Sequence, residues 1–369
     1  SQQARGRLDR VDRELGGRGV VSRVGRSRRD ESTPRGRLGQ YLLASALLGV
    51  AACGSSCEHQ GEAKSRDPLA EPLQFDAAAL AERLWPIRAE GRFQAVPGTQ
   101  LDALGQLVIL LLDHAEAGEL DRRDRRRARV LADFARVELL AVEIGALRLW
   151  VVTESADRVR GVGSYVIRLG PAQPVLLSAP HSFHDQGTGD IGLDLLVEAS
   201  EASATPRALF VNSVHRHRQL DGRKVALADN PADSANVADH PLASVTRRAL
   251  EHAPLTIIQL HGFARDDAAG DPIAILSSSR SRPSAYLRAL ASSLRAGLPE
   301  FEFGVFGVDV DRLGGTKNTQ ARAAREFDRC FAHFEMAREL RDRLVDDRQL
   351  RARLGRALIL VPKDPSDCR

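Results

Sequence analysis

The stretch PVLLSAPHSFHDQGT, residues 174–188, starts as an apolar run and ends as a string of polar, reactive side chains. Its first part, 174–179, is short and opens Pro-Val-Leu-Leu with no apolar–polar alternation. That pattern fits a strand covered on both faces, the kind found in parallel sheets. The remainder delivers His181, His184 and Asp185 just past the strand's carboxyl end, where open α/β sheets gather their ligands.

Outward from this stretch the same pattern repeats. Residues 208–214 read as a strand leading into His215 and Arg216, and 255–260 as a strand followed at once by His261-Gly262. Helical spacing marks 191–197, 242–252 and 284–298. Residues 147–153 and 164–169 form a hairpin pair around a turn at Gly161, and 272–276, 303–310 and 330–334 read as further strands. A final long helix starts with Met336, Leu340 and Leu344, and a last strand is expected over 358–361. Strand–helix alternation predicts an α/β fold, a mixed, mostly parallel sheet flanked by helices. Upstream, Leu80 and Leu84, then Leu104, Leu107 and Leu111, keep helical spacing. Residues 75–145 are therefore expected as a helical N-terminal lead-in and 146–369 as the α/β domain.

The chain has 369 residues, 43% of them hydrophobic, enough for one sizeable core. Its formal charge of +4 is a misleading sign of nucleic-acid binding. Residues 1–52 alone carry eleven Arg against five acids, a balance of +6, which leaves −2 for everything after them. A phosphate-binding body needs the opposite distribution, so no nucleic-acid partner is expected. The basic run 122–129 follows a polar helical pattern and reads as a solvated helix face.

Residues 1–52 read as a leader and signal segment. Arg35 and Arg37 precede an apolar stretch, 41–52, too short to span a bilayer as a helix. It ends Val50-Ala51-Ala52-Cys53. A positive flank, an apolar centre and small residues before the cut make a secretory signal. With Cys at the cut the string resembles a bacterial lipobox. That resemblance implies lipidation of Cys53 and an exported protein anchored to the membrane of the cell envelope, periplasmic or at the cell surface. Residues 53–74 are polar and read as a tether. Cys57 and Cys368 are candidates for a disulfide in an oxidising compartment, and Cys330, in an apolar run, is expected as a buried thiol. No CxxC pair is present, which argues against a cysteine zinc site.

Histidine thus follows three separate strands. A short loop separates His181 from Asp185, so both can reach one ion, and His261 would join them from another strand end. Two imidazoles and a carboxylate with one position left open make the ligand set of a catalytic zinc rather than a structural one. One such ion is expected. It lowers the pKa of water to about 7 and polarises a carbonyl. A carboxylate base is then needed beside it, and Glu335, at the end of the run 331–334, is the candidate. His184 stands as the rival to Asp185 for third ligand.

These pieces resemble the zinc carboxypeptidase superfamily, and within it the zinc-dependent poly-γ-glutamate hydrolases and N-formylglutamate amidohydrolase-like relatives. Four short motifs in order carry the resemblance: Pro180-His181, Asp185-Gln186-Gly187-Thr188, His261-Gly262 and Glu335-Met336-Ala337-Arg338. It implies His181, Asp185 and His261 as metal ligands, Glu335 as general base, and hydrolysis of an amide or peptide bond in a peptide or γ-glutamyl amide. The chain departs from the pattern in its first loop, which is a residue shorter and uses Asp for Glu. Ser182-Phe183 also replaces an expected glycine-rich stretch, which bears on the polymer substrate more than on the metal.

Arg216 suits a substrate carboxylate or a developing oxyanion. Asn318 and Arg322, in the polar stretch 313–322, are expected to contact substrate, and the polar loop 229–239 to cover the site. No G-x-S-x-G elbow is present, which argues against a serine hydrolase. The alternative from another class is a catalytically inactive lipoprotein, a binding module of the cell envelope on the same fold.

Overall fold

Short runs of branched apolar residues become strands here, and 3.6-period runs become helices, in a computed structural model. It describes residues 69, 71–85, 92–199, 204–217, 230–265, 270–359 and 364–369. The leader 1–52, Cys53, Cys57 and the tether up to its last few residues lie outside these. The first half holds β1 (Leu73–Gln74), α1 (Ala77–Leu84), α2 (Gly98–His114), α3 (Arg122–Ala135), β2 (Glu138–Ile144), β3 (Leu147–Thr153) and β4 (Ser164–Arg168). Then come β5 (Gln173–Ala179), α4 (Thr188–Val197), β6 (Pro206–Val211), α5 (Pro241–His252), β7 (Thr256–Phe263) and β8 (Ala274–Ser277). The chain continues with α6 (Ala285–Gly297), β9 (Phe303–Val305), α7 (Thr319–Glu326), β10 (Phe331–Ala337), α8 (Arg338–Asp346) and α9 (Arg348–Ile359).

The strands form one ten-stranded sheet in the order β1-β2-β3-β4-β6-β5-β7-β10-β8-β9. Its centre, β6-β5-β7-β10, is parallel throughout, and antiparallel pairs flank it on both sides. This is the expected α/β fold with a mixed, mostly parallel sheet. Alternation along each central strand feeds two cores. Leu177, Leu209 and Ile258 pack under α4, α6, α8 and α9. Leu176, Ala208 and Ile257 pack under α2, α3, α5 and α7. Strands covered on both faces must be apolar nearly throughout, which is why the run at 174–179 lacks alternation. The basic run 122–129 lies on α3, mostly on its solvent side, as expected. No helix among the described residues is long and apolar enough to cross a membrane.

Several local expectations are corrected. The lead-in 75–145 holds three helices but also β2, which pairs with β3 from Glu138↔Thr153 to Ile144↔Leu147. The division at 145/146 therefore cuts a two-residue hairpin turn, and the segment belongs to the sheet. Residues 358 and 359, expected in a strand, end α9, because Leu350, Leu354 and Leu358 keep a helical stripe against the core. The expected strand 303–310 stops at Val305, where Gly307 turns the chain with φ 80°. The final long helix is two helices, broken at Asp347.

Cys330 is not a free thiol. It is bonded to Cys368, which also removes the pairing considered for Cys57. This disulfide ties the residue just before β10 to a residue 38 positions later. Closing a loop of that length removes about 4 kcal/mol of unfolded-state entropy. Cys368→Ser is therefore expected to lower the unfolding free energy by roughly 3–4 kcal/mol in urea titrations. The same loss should appear in the unsubstituted chain once reductant is added, and reductant should leave the variant unchanged.

Candidate metal centre

Strand parity places the chemistry. Gln259 and His261 share one face of β7, and His333 and Glu335 share the same face of β10. The parallel register sets Gln259 beside His333 and His261 beside Glu335. On the other flank of β7, β5 runs directly into the loop that holds His181 and Asp185. That loop folds back on itself: the N–H groups of His184 and Asp185 both donate to the His181 carbonyl at 2.7 Å. The Thr188 N–H and hydroxyl in turn donate to the Asp185 carbonyl. Gly187, at φ 86°, supplies the left-handed turn into α4.

The outcome is a buried triad. His181, Asp185 and His261 offer ligand atoms that all lie within 4.8 Å of one another. Asp185 Oδ2 is 3.1 Å from His261 Nδ1 and 3.6 Å from His181 Nδ1. The far nitrogens are engaged: His181 Nε2 is 2.8 Å from Asp233 Oδ1, and His261 Nε2 is 2.9 Å from Gln259 Oε1. Asn318 Nδ2 also donates to that Gln259 oxygen, which marks it as an acceptor. A proton on Nε2 leaves each imidazole an Nδ1 lone pair to offer an ion beside Asp185, whereas a proton on His261 Nδ1 is donated to Asp185 Oδ2. Two nitrogen lone pairs and a carboxylate oxygen, each fixed by an outer partner, are a donor set that fits a borderline divalent cation such as zinc.

The electrostatics agree. Burial alone would raise the Asp185 carboxyl, but hydrogen bonds with His181 and His261 hold it well below the usual carboxylate range. Asp233 is likewise held low against its own burial by His181 and Arg216. Glu335 goes the other way. Burial and the neighbouring charge of Asp185 push it up to about 8. Its Oε2 is buried without a hydrogen-bond partner. Two neighbouring buried carboxyls are thereby driven apart, one to stay charged and one to hold or release a proton near neutrality.

Among the residues expected at the site, His181, Asp185, His261, Glu335 and Arg216 come together. Arg216 donates to His181 Nδ1 at 3.0 Å and pairs with Asp233 Oδ2 at 2.5 Å. Glu335 sits inside β10 rather than at its end, held beside His261 by the sheet register. His184 is exposed and packs its ring against His215 and His217, so Asp185 and not His184 belongs to the triad. Asn318 is buried: its side chain caps α7 and donates to Gln259, which ties it to the centre. Arg322 is exposed on α7, where its backbone N–H donates to the Asn318 carbonyl at 3.2 Å. Arg338, the arginine of the fourth motif, is exposed and pairs with Asp342.

Sequence reasoning missed four contributors. Asp233 lay inside the loop expected to cover the site and was not singled out. Gln259 carried a usable signal, being a lone amide inside an apolar strand two residues before a histidine. His333 stands inside the apolar run 330–334 with no motif around it. Arg341 lies one helical turn beyond the arginine that the motif offered. Its Nε donates to the Gln186 carbonyl and its NH1 to the Met336 carbonyl, joining the loop after Asp185 to β10. To do so the guanidinium crosses β7 at Gly262, where a Cβ would meet NH1 at 1.8 Å. A side chain at position 262 would therefore push the Arg341 guanidinium out of this place.

No family model matches the chain, and no curated protein matches its sequence. Among solved structures it is similar to a Shewanella denitrificans protein described as a carboxypeptidase A, at 14% identity and a TM-score of 0.37, over 53% of this chain and 61% of that one. The chain thus spans less than two thirds of that protein's length. It is also similar to a metallo-carboxypeptidase from Burkholderia cenocepacia, at 13% identity and a TM-score of 0.35, over 67% of this chain and 69% of that one. A third is an N-formylglutamate amidohydrolase from Ralstonia eutropha, at 12% identity and a TM-score of 0.34, over 51% of this chain and 95% of that one. These overlaps are loose, and the chemistry of the centre has to follow from its own side chains.

Two outcomes test the outer partners. Asp233→Ala removes the acceptor that fixes the His181 proton and should weaken zinc binding by about 10–100-fold, read by competition with a chromophoric chelator. His240, whose Nδ1 accepts the Leu242 N–H at the start of α5, is driven down to about 3 by burial. A histidine depressed in the fold takes up its proton more readily when unfolded. Its contribution is therefore complete above pH 6.5 and is lost as pH falls from there toward 3, by up to about 1.4 kcal/mol per pH unit. His240→Asn keeps a capping acceptor and should flatten that part of the stability–pH curve.

Proposed function

We propose that the chain is a metal-dependent amide hydrolase that uses one zinc ion. The observation that supports this reading most directly is the buried group of two imidazoles and a carboxylate, His181, His261 and Asp185, beside a second carboxyl, Glu335, that burial raises. Zinc held by His181, Asp185 and His261 would supply Lewis acidity toward a carbonyl oxygen and make water more acidic. Glu335 is the proton carrier. Raised to about 8, it accepts a proton from water with little driving force lost and returns it to the leaving amine. Arg216 holds a positive charge beside His181 and Asp233, suited to a substrate carboxylate or to negative charge developing on the carbonyl oxygen. Asp233, Gln259 and Arg341 act only through the residues they hold.

The substrate class we favour is a peptide C-terminus or a γ-glutamyl amide, both of which offer a carboxylate near the scissile bond. Envelope peptides fit if the protein is exported and anchored through Cys53. The Cys330–Cys368 disulfide supports an oxidising compartment, since such bonds persist outside the reducing cytosol.

Metal content and turnover on a panel of γ-glutamyl and C-terminal peptides test the reading together. The purified protein should carry near-stoichiometric zinc and hydrolyse at least one member. Glu335→Gln should retain the zinc and lose about 10²–10⁴-fold in turnover. A protein that takes up no tight metal would instead be the non-catalytic envelope module, and full activity in Glu335→Gln would remove that residue from the chemistry.

A further inference from the structure

Next to the ligand triad stands a second group. His261, His333 and Glu335, all buried, also offer ligand atoms that lie within 4.8 Å of one another. Two of their atoms are orphaned among the described residues: His333 Nδ1 and Glu335 Oε2 are buried with no hydrogen-bond partner there. His333 Nε2 is 3.7 Å from Glu335 Oε1, and the His333 ring lies 4.2 Å from that of His261 between centroids. Each unsatisfied buried polar atom costs on the order of 1–3 kcal/mol. An apolar residue at position 333 would carry no such cost, so the imidazole calls for a partner.

We propose that the metal ion has two adjoining seats that share His261, and that His333 is a ligand in the second. This rests on the metal-dependent reading given above. A neutral imidazole carries one lone pair, so His261 serves one seat at a time. With its proton on Nε2, held by Gln259 Oε1 at 2.9 Å, its lone pair on Nδ1 faces His181 and Asp185. With the proton on Nδ1, donated to Asp185 Oδ2 at 3.1 Å, the lone pair passes to Nε2. That nitrogen faces Gln259, whose neighbour across the register is His333, and the Gln259 oxygen 2.9 Å from it must turn away for an ion to enter the second seat. Each tautomer has an acceptor already in place, and exchanging one for the other changes no net charge. In the second seat the Glu335 carboxylate is a ligand and is withdrawn from proton transfer. The first seat is therefore the working one and the second a resting one.

Zinc binding discriminates. Affinity is measured by chelator competition, and stoichiometry by elemental analysis, on the full chain and on Asp185→Asn, His333→Phe and the double variant. Phenylalanine keeps a ring against His261, and melting temperatures show that each variant is folded. If His333→Phe does not fold, His333→Thr takes its place. The unsubstituted chain should bind one ion. Asp185→Asn should still bind one ion, about 10–100-fold more weakly, from the second seat. Adding His333→Phe to that variant should cost at least about another hundredfold, whereas His333→Phe alone should stay within about tenfold of the unsubstituted chain. If Asp185→Asn binds no better than the double variant, the second seat does not exist, although the working seat stands. If the unsubstituted chain binds no zinc, the metal-dependent reading falls and this inference falls with it.

Discussion

A charged Asp185 carboxylate lies at the core of this protein, and everything near it is arranged to make that tolerable. Taking a carboxylate out of water costs several kcal/mol, and only close, well-oriented partners offset it. Asp185 has His261 and His181 on the inside and the guanidinium of Arg341 in electrostatic reach. Those partners need partners of their own, so the demand spreads to Asp233, Gln259, Asn318 and Arg216. Such a polar network is stable only if nearly every member is satisfied. The atoms left over among the described residues, on His333, Glu335, Gln259 and Arg216, are therefore informative.

The sheet converts this demand into geometry. Parallel pairing of β7 and β10 fixes His261 and Glu335 side by side without any loop taking part. A slip of one residue would turn both side chains to the opposite face and bury them among leucines. Among these residues His181, Asp185, Asp233 and Arg216 depend on loops, and those loops are drawn together by contacts to Asp233. The division suits a reactive centre, with the base and one ligand on rigid strands and the remainder on connections that can adapt.

Much of this was legible in the sequence because it follows from local patterns. Residues 174–179 could be read as a doubly covered strand, and the polar string after them as a ligand loop, from composition alone. His181, His261 and Glu335 were legible for the same reason: each follows or interrupts an apolar run. What escaped was set by tertiary packing. The helix α7 hides in a glycine-containing polar stretch because its cap, Asn318, looks like a substrate contact until its amide is seen holding Gln259. Arg341 escaped because its role depends on where α8 crosses β7. The Cys330–Cys368 bond escaped because spacing carries no information on which ends of a fold meet.

Gly262 and Arg341 occupy one volume between them, the side chain of one filling the space that the other leaves empty. Neither position can drift alone: enlarging the first evicts the second, and shortening the second opens a hole beneath the first. In descent the two should behave as a single hereditary character, kept together or exchanged together. A lineage that had given up the arginine would be free to carry alanine or serine after its histidine, while one that retained it would not.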